Sequence, residues 1–165
     1  MAVGDLYINQ GTTITFDSTP TDVALTLTSL ASGSIRYSAP ADLAILGDGA
    51  GPGLYQWGLK TKFATTPVLD EVIDIYLALS DGTNDFNISQ TDHTETLEST
   101  FAGAKWIGSL VVNEASTTAS FTAFGEVFIP TKQVQAVIAN GTADGLSATA
   151  ADHAFYLTPL PYKKQ

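Results

Sequence analysis

The densest run of chemically capable side chains is Ser80–Thr100, SDGTNDFNISQTDHTETLEST. It holds five carboxylates (Asp81, Asp85, Asp92, Glu95, Glu98), His93, and no lysine or arginine. Calcium is the first chemistry to weigh, because Asp81, Thr83 and Asp85 alternate as oxygen ligands do. The helix–loop–helix calcium loop also needs glycine at its sixth position and a bidentate glutamate at its twelfth. Phe86 and Asp92 stand there instead, so the segment reads as a solvated acidic loop after a strand ending at Leu79.

The two histidines, His93 in TDHTE and His153 in ADHAF, each follow an aspartate. An Asp–His pair can orient an imidazole for a metal. Adjacent residues of a strand point to opposite faces, however, so the pairs are poorly placed to touch. No HExxH, no His-x-His and no cysteine accompany them, which removes thiolate chemistry and cysteine-based zinc sites. No Gly-x-Ser-x-Gly elbow presents a nucleophile. GDGAGPG, residues 47–53, lacks the lysine and hydroxyl of a phosphate loop and reads as a plain turn. Two carboxylates across a cleft would serve a glycosidase, but 17 acidic residues make that signal unspecific. Asn87-Ile88-Ser89 and Asn140-Gly141-Thr142 match the glycosylation sequon, at places where turns are expected anyway. The residues therefore assign no catalytic, cofactor or metal site, and the expectation is a protein that is not an enzyme.

The elements that would hold such groups are strands, because apolar and polar residues alternate by twos along most of the chain. Tyr55, Trp57, Leu59 and Phe63 share one face of their run; Ile73, Ile75, Leu77 and Leu79 share another. Trp106, Leu110 and Val112 are expected on a core face, as are Phe121, Val127 and Ile129. Tyr37, Tyr76, Phe124 and Phe128 fall opposite, as candidates for an exposed face or an oligomer interface. Weaker runs cover Thr12–Phe16, Asp22–Leu30, Ser34–Ser38, Val134–Asn140 and Ala154–Pro159, for about nine strands. The helical candidates are short: Thr94–Phe101, and a turn or two in Pro40–Leu46. Short strands with Gly-rich turns predict an all-β antiparallel sandwich of jelly-roll type. Residues 1–165 are read as one domain, with a polar arm over about 1–20 (loosely held, or an edge strand) and a Pro-rich tail over about 158–165.

Charge narrows the partners. A formal net charge of −10 argues against nucleic acid and against an anionic membrane surface, both of which call for lysine and arginine. No apolar run reaches the ~18 residues of a membrane span. MAVGDLYINQ lacks the basic and apolar regions of a secretory signal, so assembly in a cytoplasm is expected.

LYQWGLKTKF, VIDIYLALSDGTND and WIGSLVVN, followed by AVIANGTADGLSATAADHAFYLTPLPYKKQ, resemble small virion proteins of tailed bacteriophages. The likeness spans Leu54 to Gln165 and is one of layout: strand, SDGT turn, acidic loop, strand, and a closing His153–Pro159 strand. It implies a capsid decoration, or cement, protein: a β-sandwich homo-oligomer, located in the virion, whose partners are the major capsid protein or other virion proteins. It implies no catalytic residues. The contacts expected are Leu6, Tyr7 and Ile8 of the arm and Leu160, Tyr162 and Lys163 of the tail. The competing expectation is a carbohydrate- or host-surface-binding module of a fibre or tail.

Overall fold

The computed structural model describes residues 10–46, 51–83, 91–96 and 104–160, with the backbone of 6–8 and 162–164. The described residues form β1 (Leu6–Ile8), β2 (Ile14–Asp17), β3 (Val23–Ala24), β4 (Ser34–Tyr37), β5 (Ala41–Asp42), α1 (Leu43–Leu46), β6 (Gly53–Thr61) and β7 (Val72–Ser80). They continue with β8 (His93–Thr96), β9 (Ala104–Val111), β10 (Phe121–Ile129), β11 (Gln133–Asn140), a 3-10 turn at Ala150–Asp152, β12 (Ala154–Pro159) and β13 (Tyr162–Lys164).

Sheet I has the order β10-β6-β12-β2-β3, and sheet II the order β8-β4-β11-β7-β9, with β5 pairing the far end of β11. Set aside the short β3, β5 and β8 and the terminal ribbon β1–β13. Sheet I then contains the first, third, sixth and eighth of the remaining strands, and sheet II the second, fourth, fifth and seventh. Neighbours within each set are antiparallel. This is the strand order of a jelly roll: an all-β, antiparallel sandwich in which consecutive strands pass from one sheet to the other except at the β7–β9 pair.

Alternation explains the layers. Ile14 and Phe16 of β2, Tyr55, Trp57 and Leu59 of β6, and Phe155 and Leu157 of β12 face Ile73, Ile75 and Leu77 of β7 and Val134, Ala136 and Ile138 of β11 in one buried cluster. Phe16 meets Phe155 edge to face at 5.4 Å, and Phe63 meets Phe121 at 5.2 Å. A second, smaller apolar cluster lies on the outer face of sheet II: Ile35, Tyr37, Ala78, Val137 and Ala139. Tyr37, expected on an exposed face, is therefore buried.

Three further expectations change. Asp22–Leu30 is a strand only at Val23–Ala24. Leu25, Leu27 and Leu30 still enter the core, but Ser29 takes a positive φ of 56° and its N–H bonds Ser147 rather than a ladder. Thr94–Thr96, expected to begin a helix, belong to β8, where they pair Arg36, Ile35 and Ser34; the rest of that candidate, 97–101, lies outside the described residues. Within the first twenty residues, expected as a loosely held arm or an edge strand, β1 pairs β13 and β2 lies between β12 and β3 in sheet I.

The last change concerns Trp106. Ile75 pairs Gly108 while Tyr76 pairs Trp106, so β9 carries an extra residue, Ile107. A bulge of one residue reverses which face the following side chains take. Leu110 and Val112 stay in the core, but Trp106 turns outward and is 56% exposed.

Candidate functional site

The described side chains of the acidic stretch are tied into the surrounding structure. Asp81 accepts the N–H of Thr83, and the Ser80 hydroxyl accepts that of Gly82, whose φ of +87° fits a tight turn. Asp92 accepts Arg36 Nε at 2.5 Å and the backbone N–H of Thr26 at 3.1 Å. Burial raises the Asp92 pKa, but the hydrogen bonds from Arg36 and Thr26 outweigh it and hold the carboxyl below its ordinary range. Arg36 also donates to the Thr94 hydroxyl at 2.6 Å, so it ties β4 to the start of β8. Asp85 and Glu98 lie outside the described residues, and among the described residues no three His, Asp or Glu side chains are grouped to hold a metal.

The two histidines lie apart, His93 in β8 of sheet II and His153 just before β12 of sheet I. His93 stacks on its cross-strand neighbour Tyr37, with ring centroids 4.6 Å apart and an interplanar angle of 11°. Its nitrogens face the Thr91 carbonyl at 3.0 Å and Glu95 Oε1 at 3.2 Å. Burial, and then the neighbouring Glu95 charge, raise the pKa of the Tyr37 phenol.

His153 is buried just before β12. Nε2 lies 2.8 Å from the Ser147 carbonyl and Nδ1 2.8 Å from the Thr61 hydroxyl. A carbonyl can only accept, so Nε2 carries the proton and the Thr61 hydroxyl donates to Nδ1 of the neutral ring. Desolvation pushes its pKa down. Asp152 turns instead to the Ser147 hydroxyl at 2.8 Å and to Lys62 at 3.1 Å, and the Ser147 hydrogen bond lowers its pKa. This network fastens the turn before β12 to the end of β6; it offers no group to a substrate.

Other motifs resolve into structure in the same way. The Asn140 amide donates to the carbonyls of Leu30, Ala31 and Asp144, and Thr142 returns a hydroxyl to Asn140 Oδ1 at 2.7 Å. That sequon asparagine is buried and fully engaged. Asn87 lies outside the described residues. Of the glycine-rich turn, Gly51 has φ +60° and its carbonyl takes the Tyr55 hydroxyl at 2.5 Å. Burial pushes the Tyr55 pKa up to about 12.

Exposed aromatic rings stand on both outer faces of the sandwich. On sheet I, Phe124 is 77% and Phe128 58% exposed, both on the outer side of the edge strand β10. Gly58 pairs both Phe124 and Tyr156, and the Tyr156 ring leans over it. On sheet II, one row crosses every main strand, His93, Tyr37, Val137, Tyr76 and Trp106; Tyr37 and Val137 in it are buried, and the open ring is Trp106. At its β9 end the Trp106 indole N–H points at Asp74 Oδ1, at 3.4 Å, and the Ser109 hydroxyl donates to the same oxygen. The sequence reading placed Phe124 and Phe128 correctly, but it missed the Trp106–Asp74–Ser109 group. The one available signal was Gly108 within a strand, a frequent mark of a bulge.

The expected contact residues of the two chain ends come together. β1 and β13 form their own antiparallel ribbon, in which Leu6 faces Lys164, Tyr7 faces Lys163, and Ile8 faces Tyr162. Leu160 bonds back to the Leu54 carbonyl at 2.9 Å and anchors that ribbon to β6.

No protein-family model and no curated protein matches the chain. Among solved structures, it is similar to Eiger TNF from S. frugiperda at 12% identity and a TM-score of 0.38, over 93% of this chain and 94% of that one. A likeness at that level carries no functional argument, and the jelly-roll assignment stands on the strand order itself.

Proposed function

We propose that this protein is a non-enzymatic structural component of a tailed-bacteriophage particle, a capsid decoration protein that binds the assembled shell as a homo-oligomer. The observation that carries the reading is the pair Phe124 and Phe128, two large apolar side chains held in the open on an edge strand. Solvent-exposed aromatics grouped on one face are what protein interfaces use and what a solitary domain avoids. The layout resemblance over Leu54–Gln165 supplies the virion context. The terminal ribbon, which gathers Leu6, Tyr7, Ile8, Tyr162 and Lys163, offers a second contact region next to Leu160. The mechanism would be mass action: a protein that binds the assembled lattice and not its alternatives adds its binding free energy to the lattice.

The test is reconstitution on capsids made without this protein. Binding at defined lattice positions, together with a raised temperature of capsid disruption, is the expected result. A monomeric native mass combined with no capsid binding overturns the reading. The second reading is a carbohydrate- or host-surface-binding module of a fibre or tail, and the observation that favours it is the exposed indole of Trp106 beside the Asp74 carboxylate.

A further inference from the structure

The outer edge of sheet II carries a side-chain arrangement that neither the core nor the chain ends explain. Trp106 would lie inward if β9 ran without interruption; the extra residue Ile107 turns it out to solvent. An exposed indole normally leaves its N–H to water. Here the N–H is directed at Asp74 Oδ1 on the adjoining strand, and the Ser109 hydroxyl, cross-strand partner of Asp74, donates to the same oxygen. These two donors fix the rotamer of the carboxylate and the azimuth of the ring. Tyr76, cross-strand partner of Trp106, is half-buried beside them, and burial followed by the Asp74 charge raises its pKa, so it remains a hydroxyl at neutral pH.

From this geometry we infer that Trp106, Asp74, Ser109 and Tyr76 form a binding site for a neutral saccharide. A pyranose has one apolar C–H face and a rim of hydroxyls, each of them donor and acceptor. The open indole matches the face through dispersion and π contact. A carboxylate next to a serine hydroxyl matches the rim, since Asp74 accepts and the Ser109 oxygen, whose proton goes to Asp74, accepts as well. Restrained rotamers reduce the ordering cost of binding.

The alternatives fit less well. An anionic ligand, including a sialylated or uronic-acid sugar, meets Asp74 and a chain of net charge −10. A quaternary ammonium or arginine ligand favours an aromatic cage around the cation, whereas Trp106 is the one exposed aromatic ring of this group. The site deepens the fibre-or-tail reading and is independent of capsid decoration.

The chain's two tryptophans make the test clean, because Trp57 is buried and Trp106 is open. The probes are an array of neutral hexose and N-acetylhexosamine oligosaccharides and, beside it, sialylated oligosaccharides and arginine-rich peptides. The expected result is millimolar-or-tighter binding of neutral glycans, protection of Trp106 fluorescence from acrylamide, and little dependence on salt. Trp106→Ala should weaken binding by about tenfold or more, and Asp74→Asn by a similar factor, as removal of a central aromatic or a desolvated polar contact does. Unchanged Trp57 emission in both variants shows that the fold is intact. Neutral glycan binding that survives Trp106→Ala overturns this site but leaves the fibre-or-tail reading standing. No binding of any glycan overturns both. Salt-sensitive binding of the arginine peptide with no neutral glycan bound assigns the surface to a basic protein partner and overturns the saccharide site.

Discussion

Trp57 and Trp106 lie on neighbouring parts of the same sandwich and have opposite fates. Trp57 is enclosed at the seam where the edge strands β9 and β10 approach. A Cβ on Gly108 would stand 2.5 Å from its ring and a Cβ on Gly125 2.9 Å, so both positions are glycine for want of space. Its indole N–H is buried with no hydrogen-bond partner among the described residues. Trp106, two residues before Gly108, is open, and its N–H is directed at a carboxylate. The buried ring has shape complementarity without polar satisfaction; the exposed ring has a polar partner without cover. The difference teaches that one inserted residue decides whether an indole of this region is packed into the seam or turned out to solvent.

The comparison can be broken at its buried end first. Trp57→Ala should cost about 3–5 kcal/mol of unfolding free energy, the range for deleting a large buried aromatic. Gly108→Val should cost about 2–4 kcal/mol through overpacking against the indole, with a red-shifted Trp57 emission; both are read from urea denaturation. A Gly108→Val protein of native stability would show that the seam is loosely packed. Next comes the Arg36–Asp92 pair, whose side chains are 18% and 14% exposed. Arg36→Ala should cost about 1–3 kcal/mol, because Asp92 loses its cationic partner and keeps only its hydrogen bonds from Thr26.

Two acid-sensitive windows follow from the pKa directions. His153 has a folded pKa below its unfolded value, so the unfolded chain takes up the proton first. Its contribution is complete above the unfolded value, near 6.5, and is lost as pH falls from there through the folded value. Asp92 and Asp152 are also depressed; their contributions are complete above about 3.8 and fade as pH falls through their folded values. His153→Gln should flatten the urea midpoint between pH 8 and pH 5 relative to the parent. An unchanged slope would mean that His153 does not control that window. The smallest effect closes the comparison: Trp106→Ser should alter stability by about 0.5 kcal/mol or less, since that ring contributes to the surface and little to the fold.

The same contrast marks what sequence alone could deliver. Strands that alternate without interruption, such as β6, β7 and β10, were legible down to the face of each residue, and Phe124 and Phe128 were placed outside correctly. β8 was not, because His93–Thr96 is polar throughout and owes its extension to pairing with β4. Val23, Leu25 and Leu27 alternate as in a strand, but Leu25 and Leu27 reach the core from an irregular segment, since period reports burial and not hydrogen bonding. Trp106 was misassigned because a bulge changes parity without changing composition, and with it went the Asp74–Ser109 group. The chain ends were singled out as contact residues, but that they would pair with each other depends on where β12 and β6 deliver them.

The position of β2 has a bearing on biogenesis. Its antiparallel neighbour among the described residues is β12, so Phe16 meets its ladder partner Phe155 only after the chain as far as Phe155 has been made. Pairings this distant in sequence slow folding through loop-closure entropy. Until then Ile14 and Phe16 are apolar side chains without a sheet, and the nascent chain is open to premature self-association. High expression temperatures should therefore lower the soluble yield more than the stability of the finished domain would suggest.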